Sequence, residues 1–564
     1  MANLNLKDKA TRTYEAIVVG SGMSGGYAAK ELCDRGVKTL VLERGRQVEH
    51  IKDYPTTNKM PWDFEHRGEM PHAVKEANPS VARCYAFRED TEHFFVKDQE
   101  HPYVQEKPFD WIRGYQVGGK SLLWARQVQR WSDLDFEGPA RDGFAVDWPI
   151  RYADLAPWYD RVEHFVGVSG HQDGLPQLPD GDFLPPLELN CVEQHFQAQM
   201  KQHYPGRDVI YARCAHLTEP REIHLKQGRG RCMRRDLCQR GCPYGGYFSS
   251  NSSTIPWAMK TGNLTLRPDA VVHSVIYDDR LERATGVRVI DAYTKEMEEF
   301  YAPLIFLNAA ALNTNLILLN SQSDRFPAGL GNDNGLLGTH LAFHNYRARV
   351  RGRYEGFLDK TTTGRRPTSA YLPRFRNLHA QETDFLRGYA AGFGAHRGVA
   401  RDDGGVGADL KAGLLDGRWK DHWDVGSHMM GETIPKEQNR VTLSDQTDAW
   451  GMPLLRVDVG YDDNDERMVA DYLEQMREMF ARAGFVDIRT KDSGQAPGLD
   501  IHEMGGVRMG RDPKTSLLDR WNRLHACPNV YVTDGACMTS TSTQNPSLTY
   551  MALAARAVDR AVGG

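Results

Sequence analysis

The sequence predicts an α/β fold that opens with a dinucleotide-binding unit. Residues 16–19 are an apolar run typical of a strand, and the glycine-rich stretch 20–25 follows directly. A helical pattern comes next and Gly36 ends it, before a second strand-like run over residues 37–42. The expected buried face of this helix consists of Tyr27, Ala28, Leu32 and Cys33. Strand, glycine turn, helix and strand in this order indicate a parallel sheet covered by helices.

The glycines of this unit have the G-x-G-x-x-G spacing, at Gly20, Gly22 and Gly25. This spacing allows a tight turn, a close approach of the backbone to a pyrophosphate, and close packing of helix on strand. Glu43 follows the second strand, at about the spacing of a carboxylate that binds a ribose hydroxyl. The motif itself does not distinguish FAD from NAD, but its position at the start of the chain favours FAD.

Composition limits the classes of function. The chain has 564 residues, 40% of them apolar, which is enough for a large enzyme of two domains. The net charge of −5 gives no electrostatic case for binding nucleic acid or an anionic membrane. No run of eighteen apolar residues and no secretory signal is present, so we expect a cytoplasmic protein without a transmembrane segment. Residues 401–413, rich in glycine and aspartate, predict a surface loop.

Three further motifs lie in the middle and near the end of the chain. Residues 114–124 read GYQVGGKSLLW, and residues 501–510 read IHEMGGVRMG. Residues 531–554 read YVTDGACMTSTSTQNPSLTYMALA. Together with the N-terminal unit, these motifs resemble those of a glucose–methanol–choline (GMC) oxidoreductase, and the resemblance covers nearly the full length. It implies oxidation of a CH–OH group with FAD.

The resemblance also implies roles for individual residues. His502 matches the family's catalytic histidine, and Asn545 matches the residue that pairs with it. The other implied contacts to FAD are Gly118, Gly119, Asp534, Gly535, Asn545 and Pro546. Oxidising an alcohol requires removal of its O–H proton as the hydride leaves carbon, and a neutral imidazole suits that proton. An amide beside it holds the substrate oxygen without competing for the proton.

One departure from some relatives concerns how the flavin is held. Some pyranose oxidases of the family attach FAD through a histidine directly before the tryptophan of the Gly118-Gly119 motif. Leu123 occupies this place here. Because a hydrocarbon side chain cannot form that bond, we expect FAD to be bound non-covalently.

The resemblance implies a discontinuous Rossmann-type FAD-binding domain with an inserted α+β substrate domain. The predicted FAD-binding segments are residues 12–50, 110–130, 255–340 and 495–564. The predicted substrate-domain segments are residues 51–109, 131–220 and 341–494. Within the latter, residues 431–444 predict a pair of strands.

Three of the nine cysteines lie close together, at Cys232, Cys238 and Cys242, and a proline follows the last. A disulfide would leave one thiol over, and structural zinc usually takes four ligands in closely spaced pairs. The C-x3-C-P run is the closing piece of a ferredoxin motif, so an iron–sulfur cluster within residues 225–250 fits better. Three thiolates suit a [3Fe–4S] cluster, whereas a [4Fe–4S] cluster would recruit Cys214. A cysteine-bearing loop without metal is the remaining alternative.

This cysteine segment resembles a subset of the family, bacterial dehydrogenases with a cluster beside the flavin. It is most similar to the flavoprotein subunits of glucoside 3-dehydrogenases. The resemblance implies oxidation at C3 of a glucoside or related pyranose, with electrons leaving through the cluster to a small subunit and a cytochrome. It also leaves open export to the periplasm with a signal-bearing partner. Two alternatives are an oxidase that uses O2 and a non-catalytic flavin electron carrier, which would need no base.

Overall fold

A computed structural model describes residues 12–361, 368–398, 406–409, 411–412 and 419–563 of the protein. Most of the predicted loop over residues 401–413 lies outside these ranges. None of the helices within them is long and apolar enough to cross a membrane.

The strands are numbered in chain order. They are β1 Ala16–Val19, β2 Thr39–Leu42, β3 Val104–Gln105, β4 Ile210–Tyr211, β5 Leu264–Arg267, β6 Ala270–Asp278, β7 Arg283–Asp291, β8 Met297–Tyr301, β9 Leu304–Leu307, β10 His344–Asn345, β11 Ala348–Tyr354, β12 Ala370–Leu372, β13 Tyr389–His396, β14 Trp423–Glu432, β15 Arg440–Thr447, β16 Pro453–Asp458, β17 Val486–Asp492, β18 Arg523–Leu524 and β19 Cys527–Val532.

The α-helices are numbered in the same way. They are α1 Met23–Asp34, α2 His72–Ala77, α3 Asp133–Phe136, α4 Gly138–Arg141, α5 Tyr152–Val166, α6 Cys191–His203, α7 Glu222–Lys226, α8 Thr254–Lys260, α9 Ala311–Asn320, α10 Asp463–Arg482 and α11 Ser547–Gly563. Short 3₁₀ helices include Gly119–Leu122, Cys238–Arg240 and Gly535–Cys537.

The first sheet is the predicted mostly parallel one. Its six strands have the order β18-β19-β9-β1-β2-β5, and every neighbouring pair except β18 and β19 is parallel. Strand β1 lies inside this sheet because all four of its residues are apolar and buried. Strand β2 begins two residues later than the predicted run over residues 37–42. An α/β fold is therefore confirmed.

Helix α1 packs closely on this sheet, and the predicted burial of its four named residues is confirmed. Gly20 has a φ of +96°, and a Cβ there would lie 2.2 Å from the carbonyl oxygen of Asn308. A Cβ on Gly25 would lie 2.1 Å from the carbonyl oxygen of Gly20. Only glycine fits at these two positions. Tyr27, Ala28, Leu32 and Cys33 are buried as predicted, but six more of the helix's twelve residues are buried too, so the helix is covered on nearly all sides.

The second large sheet is antiparallel and separates a hydrophobic core from a cavity. Its strands have the order β17-β11-β14-β13-β12-β4, and β10 also pairs with β14. Helices α6 and α10 contribute to the core on one side, together with Val425 and Met429 of β14. The alternate residues His428 and Met430 face the other way and line the cavity. Alternation along β14 thus places one polar and one apolar side chain, His428 and Met430, over the candidate site.

The predicted strand pair over residues 431–444 is wrong. Strand β14 ends at Glu432 and belongs to the seven-stranded sheet, whereas β15 pairs with β16 in a separate three-stranded sheet. Residues 433–439 carry the chain between the two sheets, and Pro435 lies in this stretch. The Thr433 hydroxyl exchanges hydrogen bonds with the backbone of Phe343 at 2.6 and 2.8 Å, which fixes the path.

The two large sheets draw on different parts of the chain. The six-stranded sheet takes its strands from within residues 12–50, 255–340 and 495–564. The seven-stranded sheet takes its strands from within residues 131–220 and 341–494. The domain boundaries themselves stay a prediction.

Candidate active site

A cavity of about 500 Å³ lies between the ends of the parallel strands and the antiparallel sheet. Gly20, Gly22 and Glu43 line one part of it, and His502 and Asn545 line another. Residues at both ends of the chain therefore meet around one space. Its size is in the range of cavities that bind cofactors and small ligands.

The nucleotide part of the cavity contains the start of α1. Gly22 caps this helix, no side chain accepts hydrogen bonds at the cap, and the first turn contains no acidic residue. A Cβ on Gly22 would meet no atom within 4 Å, so the backbone can approach a ligand closely. The free N–H groups of such a helix start favour an anion, and these residues fit a pyrophosphate. Gly25 does not line the cavity; it serves the packing of α1.

Glu43 lies in the same part of the cavity. Its carboxylate accepts hydrogen bonds from the Ser21 backbone N–H (3.1 Å), the Ser21 hydroxyl (2.6 Å) and the Gly45 N–H (3.0 Å). Burial raises the pKa of this carboxyl. A carboxylate offers about four acceptor positions, so one remains for a ribose hydroxyl.

The two glycines within residues 114–124, Gly118 and Gly119, have different roles. Gly119 lines the cavity, whereas Gly118 does not. The Gly118 N–H donates to the Ser21 hydroxyl at 2.9 Å, and a Cβ on it would lie 1.7 Å from Oδ1 of Asn251. Its φ of +90° also requires glycine. Leu123 lines the cavity and presents only carbon atoms to it.

Asp534 and Gly535 also line the cavity, but Pro546 does not. The Asp534 carboxylate accepts hydrogen bonds from the Thr314 hydroxyl (2.6 Å) and the Ala536 N–H (2.9 Å). Burial raises the pKa of Asp534 to about 6. Pro546 is buried at the start of α11, next to the lining residue Asn545.

A chain of hydrogen bonds fixes the proton positions on His502. Nε2 of His344 lies 3.1 Å from the carbonyl oxygen of Ser542, which can only accept, so this nitrogen carries a hydrogen. Burial lowers the pKa of His344 to about 4, so the ring is neutral and its Nδ1 is an acceptor. Nδ1 of His502 lies 2.8 Å away and must donate to it. A neutral His502 therefore has an unprotonated Nε2.

The unprotonated nitrogen of His502 is the one beside Asn545. The amide nitrogen of Asn545 lies 3.3 Å from Nε2 of His502 and donates to it, and both residues line the cavity. Burial lowers the pKa of His502 well below its usual range, and the positive charges that His344 and Lys120 would carry lower it further. Nε2 of His502 can thus take a proton from a bound hydroxyl at neutral pH.

Asp500 accepts hydrogen bonds from the backbones of both histidines. One of its carboxylate oxygens accepts the backbone N–H of His344 at 2.9 Å and that of His502 at 3.2 Å. Burial raises the pKa of Asp500 to about 7. Among the described residues, only these three bring three potential metal-ligating atoms within 4.8 Å of one another. Their mutual hydrogen bonds account for that closeness.

The sequence did not point to several residues of this site. His344 comes from β10, in the unremarkable stretch LAFHN, and the antiparallel bridge between Ala342 and Met504 brings it to His502. Lys120 and Glu503 form an ion pair at 3.0 Å and both line the cavity. Asp500 was detectable in principle, because it lies two residues before His502.

Cys232, Cys238 and Cys242 line a second, small cavity together with His216. Burial raises the pKa of the Cys232 thiol, and the nearby thiols of Cys238 and Cys242 raise it further. The three sulfur atoms do not all lie within 4.8 Å of one another. Thiolates on a single zinc ion would be about 3.8 Å apart, so the arrangement does not fit zinc. In an iron–sulfur cluster each thiolate binds a different iron, so the three sulfur atoms need not lie so close to one another.

Two buried arginines near this second cavity form no ion pair within the described residues, although Arg229 donates hydrogen bonds to the carbonyl oxygens of Gly245 and Val166. Nε and Nη1 of Arg126 and Nη2 of Arg229 have no hydrogen-bond partner among the described residues. Arg126 lies over the ring of Tyr247, which lines the cavity, and burial lowers the pKa of Arg229 to about 9. Uncompensated buried cations fit an anionic group such as a thiolate-bound cluster.

Cys214 is not brought to this cavity. It is buried, and its sulfur lies 3.3 Å from the Ser169 hydroxyl. His216 lies there instead, with Nε2 3.8 Å from the sulfur of Cys238. The predicted recruitment of Cys214 for a [4Fe–4S] cluster therefore has no geometric support.

The two cavities are neighbours. The 3₁₀ helix Cys238–Arg240 contacts the 3₁₀ helix Gly119–Leu122, part of which lines the first cavity. The hydroxyl of Tyr247 donates to the carbonyl oxygen of Leu122 at 3.1 Å. A redox group held by the cysteines would thus lie beside the first cavity.

Comparisons with known proteins agree with this geometry. Two family models for GMC oxidoreductases match residues 14–345 and residues 435–554. The chain is 28% identical to 2-methyl-1,2-propanediol dehydrogenase of Mycolicibacterium austroafricanum, over 97% of this chain and 94% of the relative. It is 26% identical to paromamine 6'-oxidase of Streptomyces fradiae, over 98% and 92%. It is 25% identical to the fructose dehydrogenase large subunit of Gluconobacter japonicus, over 97% and 98%.

A solved structure shows the same fold. Pyridoxine 4-oxidase from Mesorbium loti superposes with a TM-score of 0.59 at 16% identity, covering 98% of this chain and 99% of that one. Members of the family bind FAD, and the relatives are named as dehydrogenases and oxidases of alcohols and sugars. The protein is an oxidoreductase that acts on CH–OH groups, and it belongs to the GMC oxidoreductase family.

Proposed function

We propose that the protein is an FAD-dependent dehydrogenase that oxidises a sugar hydroxyl, at C3 of a glucoside or related pyranose. The observation that carries this proposal is the unprotonated Nε2 of His502, which lies beside the amide of Asn545 in the cavity. FAD bound by Gly20 and Gly22 before α1, together with Glu43 and Asp534, would supply the hydride acceptor.

The two site residues divide the work on the hydroxyl. His502 takes the O–H proton at Nε2, and its own Nδ1 proton stays in the hydrogen bond to His344. The Asn545 amide, which donates to Nε2 of His502, can donate to the substrate oxygen instead. Holding the oxygen against the base in this way lowers the entropic part of the barrier.

Polar lining supports a sugar as the substrate. The cavity wall includes Gln127, Tyr346, His428 and Gln495, which can hydrogen-bond several hydroxyl groups. Two of the relatives are named for sugar or aminoglycoside substrates. The choice of C3 rests on the resemblance of the cysteine segment to glucoside 3-dehydrogenases.

The cysteine cavity supports a one-electron exit. We propose that Cys232, Cys238 and Cys242 hold a [3Fe–4S] cluster, which would supply a one-electron acceptor beside the flavin. The surface over it exposes Met233 by 58% and Tyr244 by 46%. Arg234 is exposed in the same segment. An apolar patch with basic residues suits a small subunit or cytochrome with an acidic face.

An oxidase remains the second candidate function, because several relatives are named as oxidases. In that case O2 would reoxidise the flavin without the cysteines. A non-catalytic flavin carrier has no use for an oriented base, so the His344–His502–Asn545 arrangement argues against it.

One experiment separates these functions. The purified holoprotein is mixed with methyl β-glucoside under argon, and flavin absorbance is followed before air or cytochrome c is added. We expect bleaching by the glycoside, a 3-keto product by NMR, and faster reoxidation by cytochrome c than by O2. Rapid reoxidation by O2 alone would favour the oxidase. Absence of bleaching by every glycoside and alcohol tried would favour the carrier.

A further inference from the structure

Arg349 differs from the other basic residues that line the large cavity. Each of the others has a carboxylate partner: Arg44 with Asp448 (3.0 Å), Arg83 with Asp110 (2.8 Å), Arg113 with Asp98 (3.9 Å) and Lys120 with Glu503 (3.0 Å). Within the part of the chain that the structure describes, Arg349 forms no ion pair. The cavity therefore contains one guanidinium whose charge no described side chain neutralises.

The position of Arg349 is fixed by its strand and by an aromatic ring. It lies on β11 directly opposite His428 of β14, so both side chains are on the same face of the sheet. Its guanidinium carbon lies 3.9 Å from the centre of the Tyr346 ring, and the His428 ring lies 5.1 Å from the same ring. All three residues line the cavity.

The hydrogen bonds of Arg349 leave one edge of the guanidinium available. Nη1 donates to the backbone carbonyl oxygens of Tyr346 (2.7 Å) and Ala348 (3.0 Å). These two bonds use both hydrogens of Nη1. Nε and Nη2 form the remaining edge, and two parallel N–H groups of this kind match the two oxygens of a carboxylate.

No negative charge on the surrounding elements is free to occupy that edge. The carboxylates lining the cavity already accept hydrogen bonds or pair with lysine; they are Glu43, Asp500, Glu503 and Asp534. The neighbouring imidazole of His428 stays neutral because burial, and then the charge of Arg349, lowers its pKa to about 3. An anionic group of a ligand would be the natural partner.

The sheet register gives the distance between this edge and the base. His344, which touches His502, pairs with Glu432, whereas Arg349 pairs with His428 four residues earlier on β14. Four residues of a strand span about 13 Å. A long arginine side chain covers part of that distance, which leaves room for a sugar ring between the base and the guanidinium.

We propose that Arg349 binds a carboxylate of the substrate at the end remote from the oxidised hydroxyl, so that the preferred substrate is an acidic sugar of the glycuronide type. This inference rests on the proposed function, because it names the class of sugar that the same cavity binds. Arg349 acts here in specificity, not in the chemical step.

The test compares methyl β-glucuronide with methyl β-glucoside on the wild-type holoenzyme. Because hydrogen bonds between charged groups are the strong ones, we expect kcat/KM to be about 10- to 100-fold higher for the glucuronide. In Arg349→Gln this ratio should fall to near one, mainly through a higher KM for the glucuronide. Arg349→Lys should recover only part of the ratio, because lysine lacks the planar edge.

A matched control is Arg351→Gln. Arg351 lies on the same strand, is exposed and does not line the cavity, so its loss should leave the ratio unchanged. Flavin absorbance and Tm of each variant report whether it is folded.

A wild-type enzyme that oxidises the neutral glucoside as efficiently as the glucuronide would overturn the inference and leave the proposed function standing. Preference for a glucoside 6-phosphate over the glucuronide would overturn the assignment of a carboxylate. Failure of every glycoside to bleach the flavin would instead count against the proposed function.

Discussion

Nδ1 of His344 lies 2.8 Å from Nδ1 of His502. Two neutral imidazoles at this distance share one hydrogen, and the carbonyl of Ser542 decides which ring supplies it. His344 is thereby a positioning residue that holds His502 in the tautomer a general base requires.

Replacing His502 by alanine should remove the base while the nucleotide part of the cavity stays intact. Loss of a general base typically lowers the rate by about 10² to 10⁴. We therefore expect His502→Ala to retain FAD, as judged by its visible spectrum, and to lose sugar oxidation by this factor. A variant within a few-fold of wild type would show that another group takes the proton.

Changing His344 should alter the rate without changing substrate binding. In His344→Leu, Nδ1 of His502 loses its acceptor, and a lost buried hydrogen bond corresponds to a fall in kcat of about 10- to 100-fold. His344→Gln can present an amide oxygen to the same Nδ1 and should recover part of the loss. A merely structural role would lower Tm and FAD content equally in both variants, with no difference in kcat between them.

The pH profile should report the lowered pKa of His502. The base is active when it is unprotonated, so activity is lost as the pH falls through its pKa. Burial lowers that pKa well below the usual 6.5, so kcat/KM should be level from pH 8 down past pH 6.5 and decline only at more acid pH. A decline centred at or above pH 6.5 would contradict the neutral, buried pair.

The nucleotide part of the site was predictable because its signal is local. Gly20 and Gly22 create the turn and the open helix start within a few residues of β1. Of the two histidines, only His502 was predictable from the sequence. His502 lies in a recognisable motif, whereas His344 reaches it through the bridge between Ala342 and Met504, and such non-local pairing leaves no mark on a short stretch of sequence.

The same limit explains the error over residues 431–444. Two β-rich runs separated by a few residues predict a hairpin, but here each run has a better partner elsewhere: β14 with β11 and β13, and β15 with β16. Burial against α10 holds β14 in the large sheet. Tertiary packing, which a local pattern does not contain, decided between these pairings.

The flavin should be released by denaturation. Leu123 is buried beside the cavity and offers no atom that could bond to the isoalloxazine ring. Treatment with trichloroacetic acid should therefore leave the yellow colour in the supernatant. Free FAD measured there should equal the FAD of the native protein. Colour that remains with the precipitate would show a covalent link through another residue.

The last prediction concerns the three cysteines. Replacing Cys232, Cys238 or Cys242 singly by serine should lower iron content and remove the electron paramagnetic resonance signal of a [3Fe–4S] cluster, because a hard hydroxyl is a poor ligand for it. Reduction of the flavin by sugar should persist, since His502 and Asn545 line the other cavity. Transfer to cytochrome c should slow, because it depends on one-electron exit through the thiolate site.

Cys191→Ser provides the matched control. Cys191 is also only half-buried, but it starts helix α6 and does not line the cysteine cavity, so iron and cytochrome c reduction should stay at wild-type values. Anaerobic purification protects any cluster during the measurement. Stoichiometric zinc in the wild type would contradict an electron relay. So would a metal-free protein whose cytochrome c reduction is unaffected by all three serine variants. The unpartnered guanidinium atoms of Arg126 and Arg229 would then need another anion.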